Sequence, residues 1–275
     1  MNEFWTQIEA ATAHIRTLTD FEPEVGLILG TGLGELGDRI DTVCAVPYGD
    51  VPHFVESTAT SHDGKLVFGT LGGRRVVAMQ GRVHFYEGYS MQEITLPVRV
   101  MKSLGCQALL MSNGVGGMNP QMGPGVITVF TDHINLMGDN PLIGHNDDRL
   151  GPRFPDMSEP YDRAFIGTME EAARELKIPL KRAVYVAVAG PNLETGAEYR
   201  FLRAVGADTV GMSSVPECLA AVHGGLKVVG LSVITDACFP DALHPANVEE
   251  IIKVANAAQP ALEALVTGFL ERVEL

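Results

Sequence analysis

Residues 79–89 read M-Q-G-R-V-H-F-Y-E-G-Y, and three side chains in this stretch can do chemistry together: Arg82, His84 and Tyr86. On extended backbone the side chains alternate between faces, so positions i, i+2 and i+4 share one. The predicted product is an anion site with an aromatic wall. A guanidinium grips phosphate as a planar fork, an imidazole carries or shares a proton near neutral pH, and a phenol ring covers a sugar. The opposing reading is a surface strand with its polar residues out and Val83 and Phe85 in. This stretch alone does not choose between them.

Other strand-like runs end in turns of similar chemistry. The apolar run at residues 25–29 has the character of a buried strand and opens into G-T-G-L-G-E-L-G at residues 30–37. Gly32 to Gly37 spell G-x-G-x-x-G, the fingerprint of a dinucleotide-binding oxidoreductase. The following stretch carries Pro47 and Pro52 and no clean apolar strand, with Glu56 as the one weak candidate for the ribose-binding acid. The favoured use of the turn is to aim backbone N–H groups and the Thr31 hydroxyl at a bare phosphate, and a tight turn without chemical role is the third reading. The run at residues 108–111 enters S-N-G-V-G-G, 183–189 enters G-P-N-L-E-T, 209–211 enters M-S-S, and 228–234 ends at Thr235 and Asp236.

The elements that must position these turns alternate along the chain. Helical spacing is present at residues 3–18, 91–104, 164–176, 197–205 and about 247–270, with a further helix from residue 215. A strand pair is expected at residues 66–71 and 74–80, with His62 in the loop before it. Residues 137–161 are rich in Pro, Gly, Asn and Asp, and a loop of that length is expected to be a lid or a subunit contact. The pattern predicts one α/β domain over residues 1–275, with a central mixed β-sheet flanked by helices and one cleft at the strand ends.

Composition narrows the function. With 275 residues, 46% of them hydrophobic, the chain can bury a large core. A net charge of −14 argues against nonspecific binding to nucleic acid or to an anionic membrane, so an anionic ligand needs a local cationic pocket. No basic leader precedes an apolar core, and no apolar run approaches about 18 residues, which predicts a soluble, cytoplasmic protein. The four cysteines form no C-x-x-C pair and suggest neither a disulfide framework nor a zinc site; they read as small buried apolar residues.

Five segments in order, G-T-G-L-G, M-Q-G-R-V-H-F-Y-E-G-Y, T-D-H-I-N-L, G-P-N-L-E-T-x-A-E and V-G-M-S-S-V-P-E, resemble the trimeric purine nucleoside phosphorylases over residues 25–252. The resemblance implies phosphate-dependent cleavage of purine (2′-deoxy)ribonucleosides, with guanosine and inosine favoured, to free base and (deoxy)ribose 1-phosphate. It implies a homotrimer acting in purine salvage, with inorganic phosphate as co-substrate and neither cofactor nor metal. Carried over by position, the phosphate site comprises Thr31, His62, Arg82, His84, the backbone at Asn113 and Gly114, and Ser213. The ribose rests on Tyr86 and Met212, and Phe154 of a neighbouring subunit closes the pocket. Glu194 and Asp236 read the purine, Leu193 lines it, and Val248 faces the 5′ end. Catalysis falls to His84, Glu194 and Asp236. As the glycosidic bond lengthens, ribose gains positive and purine negative charge, so phosphate stabilises one side and a partner at N7 the other. Arg82 and the turn amides orient the nucleophile.

Three positions depart from the 6-oxopurine members. Asp236 stands for a base-contacting Asn, Val248 for a His near the 5′-hydroxyl, and Thr31 for a Ser. All three lean toward the related methylthioadenosine phosphorylases, whereas Glu194 suits the N1–H of guanine or hypoxanthine. An ionised Asp236 only accepts hydrogen bonds and would repel O6 and welcome a 6-amino group; protonated, it would donate to N7. His244 is the alternative contact for the 5′-hydroxyl.

Overall fold

The computed structural model describes residues 3–30, 34–57 and 64–275. Its centre is a nine-stranded mixed sheet in the order β2-β3-β4-β1-β5-β8-β7-β6-β9, with β9 also pairing β5. The strands are β1 (Val25–Leu29), β2 (Asp41–Pro47), β3 (Lys65–Leu71), β4 (Arg74–Gln80), β5 (Ala108–Gly117), β6 (Ile127–Leu136), β7 (Leu180–Val188), β8 (Thr209–Gly211) and β9 (Lys227–Ala237). The double pairing of β5 closes β5, β8, β7, β6 and β9 on themselves, while β1, β4, β3 and β2 form an open wing. The expected mixed sheet with flanking helices is therefore present.

The continuous apolar runs are the strands at the centre. All five residues of β1 are buried, and β1 lies parallel to both β4 and β5, which is in turn parallel to β9. These four strands thus end on the same side, where α/β sheets bind ligands because the connecting loops diverge there. The helices are α1 (Glu3–Leu18), α2 (Met91–Leu104), α3 (Arg163–Leu176), α4 (Gly196–Ala204), α5 (Val215–His223) and α6 (Val248–Arg272). Helices α1, α2 and α5 pack in series, and α3 packs on α6 through the edge-to-face pair Phe165 and Phe269, 5.4 Å between ring centres. Under the closed half, Phe130 stacks on Tyr185 at 4.9 Å.

Three local expectations are corrected. The segment with Pro47 contains a strand, β2, pairing antiparallel with β3. Its side chains are mostly exposed, so it carries no apolar signal, and an edge strand tolerates Pro47 at its end. The next described element after β1 is a short 3₁₀ helix, Gly34–Arg39, followed by this edge strand. A dinucleotide fold requires a full helix and a parallel strand there, so the oxidoreductase reading is excluded by topology. Finally, β4 stops at Gln80, Gly81 turns with φ +97°, and Phe85–Glu87 form a 3₁₀ turn. Arg82, His84 and Tyr86 therefore do not share a strand face.

No helix among the described residues is long and apolar enough to cross a membrane. Residues 137–161 contain neither helix nor strand, as expected, and are anchored by buried Met137 and Tyr161.

Candidate active site

After Gly81 the chain drives Arg82 inward until the residue is 2% exposed. Its Nη1 donates to Ser214 Oγ at 2.9 Å and to Glu217 Oε1 at 3.1 Å, and its Nη2 donates to the Ser112 carbonyl. The Nε–H is buried without a partner among the described residues. The guanidinium is thus fixed along one side by protein and keeps a donor for a ligand. An Arg held this way meets a phosphate without first losing side-chain entropy.

The frame around Arg82 is built from distant segments. Ser214 caps α5 at φ +68°, a conformation that costs an L-residue on the order of 1–3 kcal/mol. It persists because Ser214 Oγ accepts from Arg82 and, at 3.1 Å, from Asn113 Nδ2. Asn113 Oδ1 accepts in turn from Ser232 Oγ at 2.6 Å. The Asn113 side chain is committed to this frame, so what Asn113 and Gly114 offer a ligand is backbone. Tyr185 pins the next turn: its hydroxyl donates to the Ser213 carbonyl at 2.9 Å and accepts from the Ser213 amide at 3.1 Å. At the end of β1, a Cβ on Gly30 would lie 2.3 Å from the Ser112 carbonyl oxygen, so only glycine lets β1 and β5 approach here.

His84 begins the 3₁₀ turn. Glu87 Oε1 accepts its backbone N–H at 2.7 Å and lies 3.1 Å from its Nδ1. This carboxylate sets the ring orientation and favours a proton on Nδ1. The imidazole stacks on the Tyr86 ring at 4.7 Å, with 14° between planes. Burial, and then the nearby Glu87 charge, raise the Tyr86 hydroxyl above its ordinary pKa, so Tyr86 acts as a neutral phenol.

A second polar group stands at the ends of β7 and β9. Glu194 precedes Thr195, the N-cap of α4, whose first-turn acid is Glu198. The helix acid is therefore Glu198, and Glu194 is left to face the cavity. Burial raises the Glu194 pKa and the Asp236 charge adds to this, against a lowering hydrogen bond from Tyr199. Asp236 Oδ1 lies 2.8 Å from Thr235 Oγ1, and Oδ2 accepts from Cys238 Sγ at 3.1 Å. Cys238 is buried, as its residue type suggested, but it is a hydrogen-bonding thiol rather than inert packing.

Arg82, His84, Tyr86, Asn113, Gly114, Leu193, Glu194, Met212, Ser213 and Asp236 all line one cavity of ≈ 220 Å³. Met212 is seated on Gly190, where a Cβ would fall 2.3 Å from its sulfur. Two residues assigned to the site lie off this cavity. Phe154 is 86% exposed on the long loop. Val248, at the start of α6, is 66% exposed, and Ile251, one turn further into the helix, lines the cavity instead. His244 is exposed and also off the cavity. Thr31 and His62 fall outside the described residues. Tyr199, Cys238, Gly116 and Ile251 line the cavity without having been singled out, and Thr235 had been named only as a strand end. Thr235 and Cys238 flank Asp236, and that adjacency was the available signal.

A fixed arginine fork at one end and two carboxylates at the other, in one cavity at the strand ends, define a class. The chain belongs to the phosphorylase superfamily, whose family model matches residues 24–271. Its relatives there are purine nucleoside phosphorylases. It is 47% identical to "Purine nucleoside phosphorylase 1" of Bacillus subtilis (strain 168), over 98% of this chain and 99% of that one. It is 43% identical to the "Purine nucleoside phosphorylase" of Mus musculus, over 100% and 98% of the two chains. The structure superposes on isoform 2 of the Schistosoma mansoni purine nucleoside phosphorylase, solved in complex with cytosine and ribose-1-phosphate, with TM-score 0.94, 38% identity and 98% of each chain covered.

Proposed function

We propose that this protein is a purine nucleoside phosphorylase that cleaves guanosine, inosine and their 2′-deoxy forms with inorganic phosphate. The observation that carries the reading is the shared cavity, with the immobilised Arg82 fork at one end, Glu194 and Asp236 at the other, and Tyr86 and Met212 in its walls. Phosphate held by Arg82, the Ser213 turn and the backbone at Asn113 and Gly114 attacks C1′ as the purine leaves. His84, oriented by Glu87, helps bind the phosphate. Ionised Glu194 accepts the N1–H of a 6-oxopurine. Asp236 stands at the N7 edge of the base. Charge developing on ribose and purine is met by groups fixed before the reaction, which is the economical way to lower a barrier. This chemistry needs no cofactor.

The test is base release from guanosine, inosine, adenosine and 5′-methylthioadenosine, each with and without phosphate. The expected result is release that requires phosphate and is fastest with guanosine and inosine. Phosphate-independent release would overturn the reading, and preference for 5′-methylthioadenosine would transfer it to the methylthioadenosine enzymes.

The reading includes a cytoplasmic homotrimer serving purine salvage, in which Phe154 enters the pocket of the neighbouring subunit. Phe154 is 86% exposed on the long loop and is therefore available to a partner surface. Phe154→Ala is expected to raise KM for inosine by about tenfold, the loss of one buried aromatic contact, while leaving KM for phosphate within about twofold. Equal change in both constants, or a monomer by sedimentation, would remove the shared-site element.

A further inference from the structure

The base end holds a polar arrangement that the phosphorolysis reading does not use. Asp236 has protein donors at both carboxylate oxygens: Thr235 Oγ1 at 2.8 Å and Cys238 Sγ at 3.1 Å. The Thr235 hydroxyl has one proton and two acceptors in reach, and the Asp236 oxygen is nearer than the Val115 carbonyl at 3.2 Å. The thiol is fixed in this role by its surroundings. Cys238 is 1% exposed, its backbone N–H donates to the Gly117 carbonyl at 2.8 Å, and Tyr199 packs beside it with its phenol between Cys238 and Glu194. Burial, then the Asp236 charge, raise the Cys238 pKa, so the sulfur keeps its proton and remains a donor. Gly116 makes room: a Cβ there would lie 2.5 Å from the sulfur and 3.7 Å from Asp236 Oδ2.

A thiol is a weak donor to a neutral acceptor, but a buried donor aimed at a carboxylate gains from the acceptor's charge. With a donor on each oxygen, the lone pairs of Asp236 that remain open toward the cavity can only accept. Such a group matches the exocyclic amino group of adenine and mismatches O6 of hypoxanthine. Glu194 completes the match, since a protonated Glu194 donates to N1 of adenine as an ionised one accepts from N1–H of hypoxanthine.

We propose that Cys238, together with Thr235, is a specificity-determining residue: it holds Asp236 as a hydrogen-bond acceptor and thereby admits 6-aminopurine nucleosides to the pocket that cleaves 6-oxopurine ones. The inference rests on the phosphorolysis reading for its substrates, but the recognition it describes is measurable without turnover. Cys238 acts through Asp236 and is a positioning residue.

The experiment measures calorimetric affinity for adenine and hypoxanthine at saturating phosphate, and kcat/KM for adenosine and inosine, in the wild type, Cys238→Val, Cys238→Ser and Thr235→Val. The wild type is expected to bind adenine within about tenfold of hypoxanthine. Cys238→Val frees one carboxylate oxygen to hold a proton and should move the adenine-to-hypoxanthine ratio about tenfold toward hypoxanthine, the scale of one hydrogen bond to a charged group. Cys238→Ser still donates and should keep the ratio within about threefold. Where Cys238→Val does not fold, Thr235→Val carries the same expectation with the same sign. A wild type that binds hypoxanthine and no adenine overturns the proposal, as does a folded Cys238→Val with an unchanged ratio. Failure of the phosphorolysis reading looks different: no phosphate-dependent base release from any nucleoside, whatever the base affinities.

Discussion

Arg82→Met is expected to abolish phosphorolysis and to destabilise the protein at the same time, and a second substitution separates the two effects. Arg82 is the cation in a buried pair, with its partner Glu217 4% exposed. Removing one member of such a pair leaves the other as an uncompensated charge in a low-dielectric interior, at a cost of about 3–5 kcal/mol. For a chain of this size that lowers Tm by roughly 10 °C. The functional loss has another cause. Without the fork nothing comparable orients the phosphate, and kcat/KM for phosphate should fall by about 10³-fold or more. The double variant Arg82→Met/Glu217→Met removes both charges and should recover most of the lost Tm while activity stays absent. Arg82→Lys keeps a charge but, with a point-like ammonium, cannot satisfy Ser214, Glu217 and the Ser112 carbonyl together and still face the ligand. It is expected to lose about 10²-fold in kcat/KM for phosphate. Thermal melts and phosphate titrations on the four proteins decide the matter; full activity in either Met variant would remove Arg82 from the phosphate site.

The second large effect is at Glu194. Glu194→Ala leaves the N1–H of a bound 6-oxopurine without its charged acceptor. The penalty for such an orphaned group, plus the lost charge assistance, amounts to about 10²- to 10³-fold in kcat/KM for inosine and guanosine. The pH profile supplies the sign. Burial and the Asp236 charge place the Glu194 pKa above the 4.5 of an ordinary glutamate. Only the ionised form accepts from N1–H, so kcat/KM for inosine should be full above that raised pKa and fall as pH drops through it. In Glu194→Gln the amide oxygen still accepts but does not titrate, so this acidic limb should disappear while activity drops by about tenfold to 10²-fold. For adenosine the same titration acts with opposite sign, because the protonated carboxyl is the form that donates to N1 of adenine. An acidic limb that persists unchanged in Glu194→Gln would assign it to another group.

The sequence by itself determined the parts of this protein that are governed by local rules. Continuous apolar runs marked β1, the first half of β5 and β9, because strands buried on both faces have no polar positions to alternate. Helical spacing and end signals placed α2, α3 and α6 within a residue or two. Arg, His, Tyr, Glu and Asp at the ends of such runs drew attention to most of the cavity, since charged and titratable side chains are conspicuous in an apolar chain. What only the tertiary structure decided depends on contacts between distant segments. Strand β2 was silent because an edge strand needs no buried face. The face shared by Arg82, His84 and Tyr86 is produced by a turn and a 3₁₀ segment rather than by strand alternation. Glu217, 135 residues from Arg82, is recognisable as its partner only after α5 is packed on α2 and β9. The strain at Ser214 is tolerated only because Arg82 and Asn113 converge on its hydroxyl. Cys238 and Tyr199 were unremarkable by residue type. A thiol gains its role only when burial fixes its proton, and a glycine on the neighbouring strand lets it reach a carboxylate.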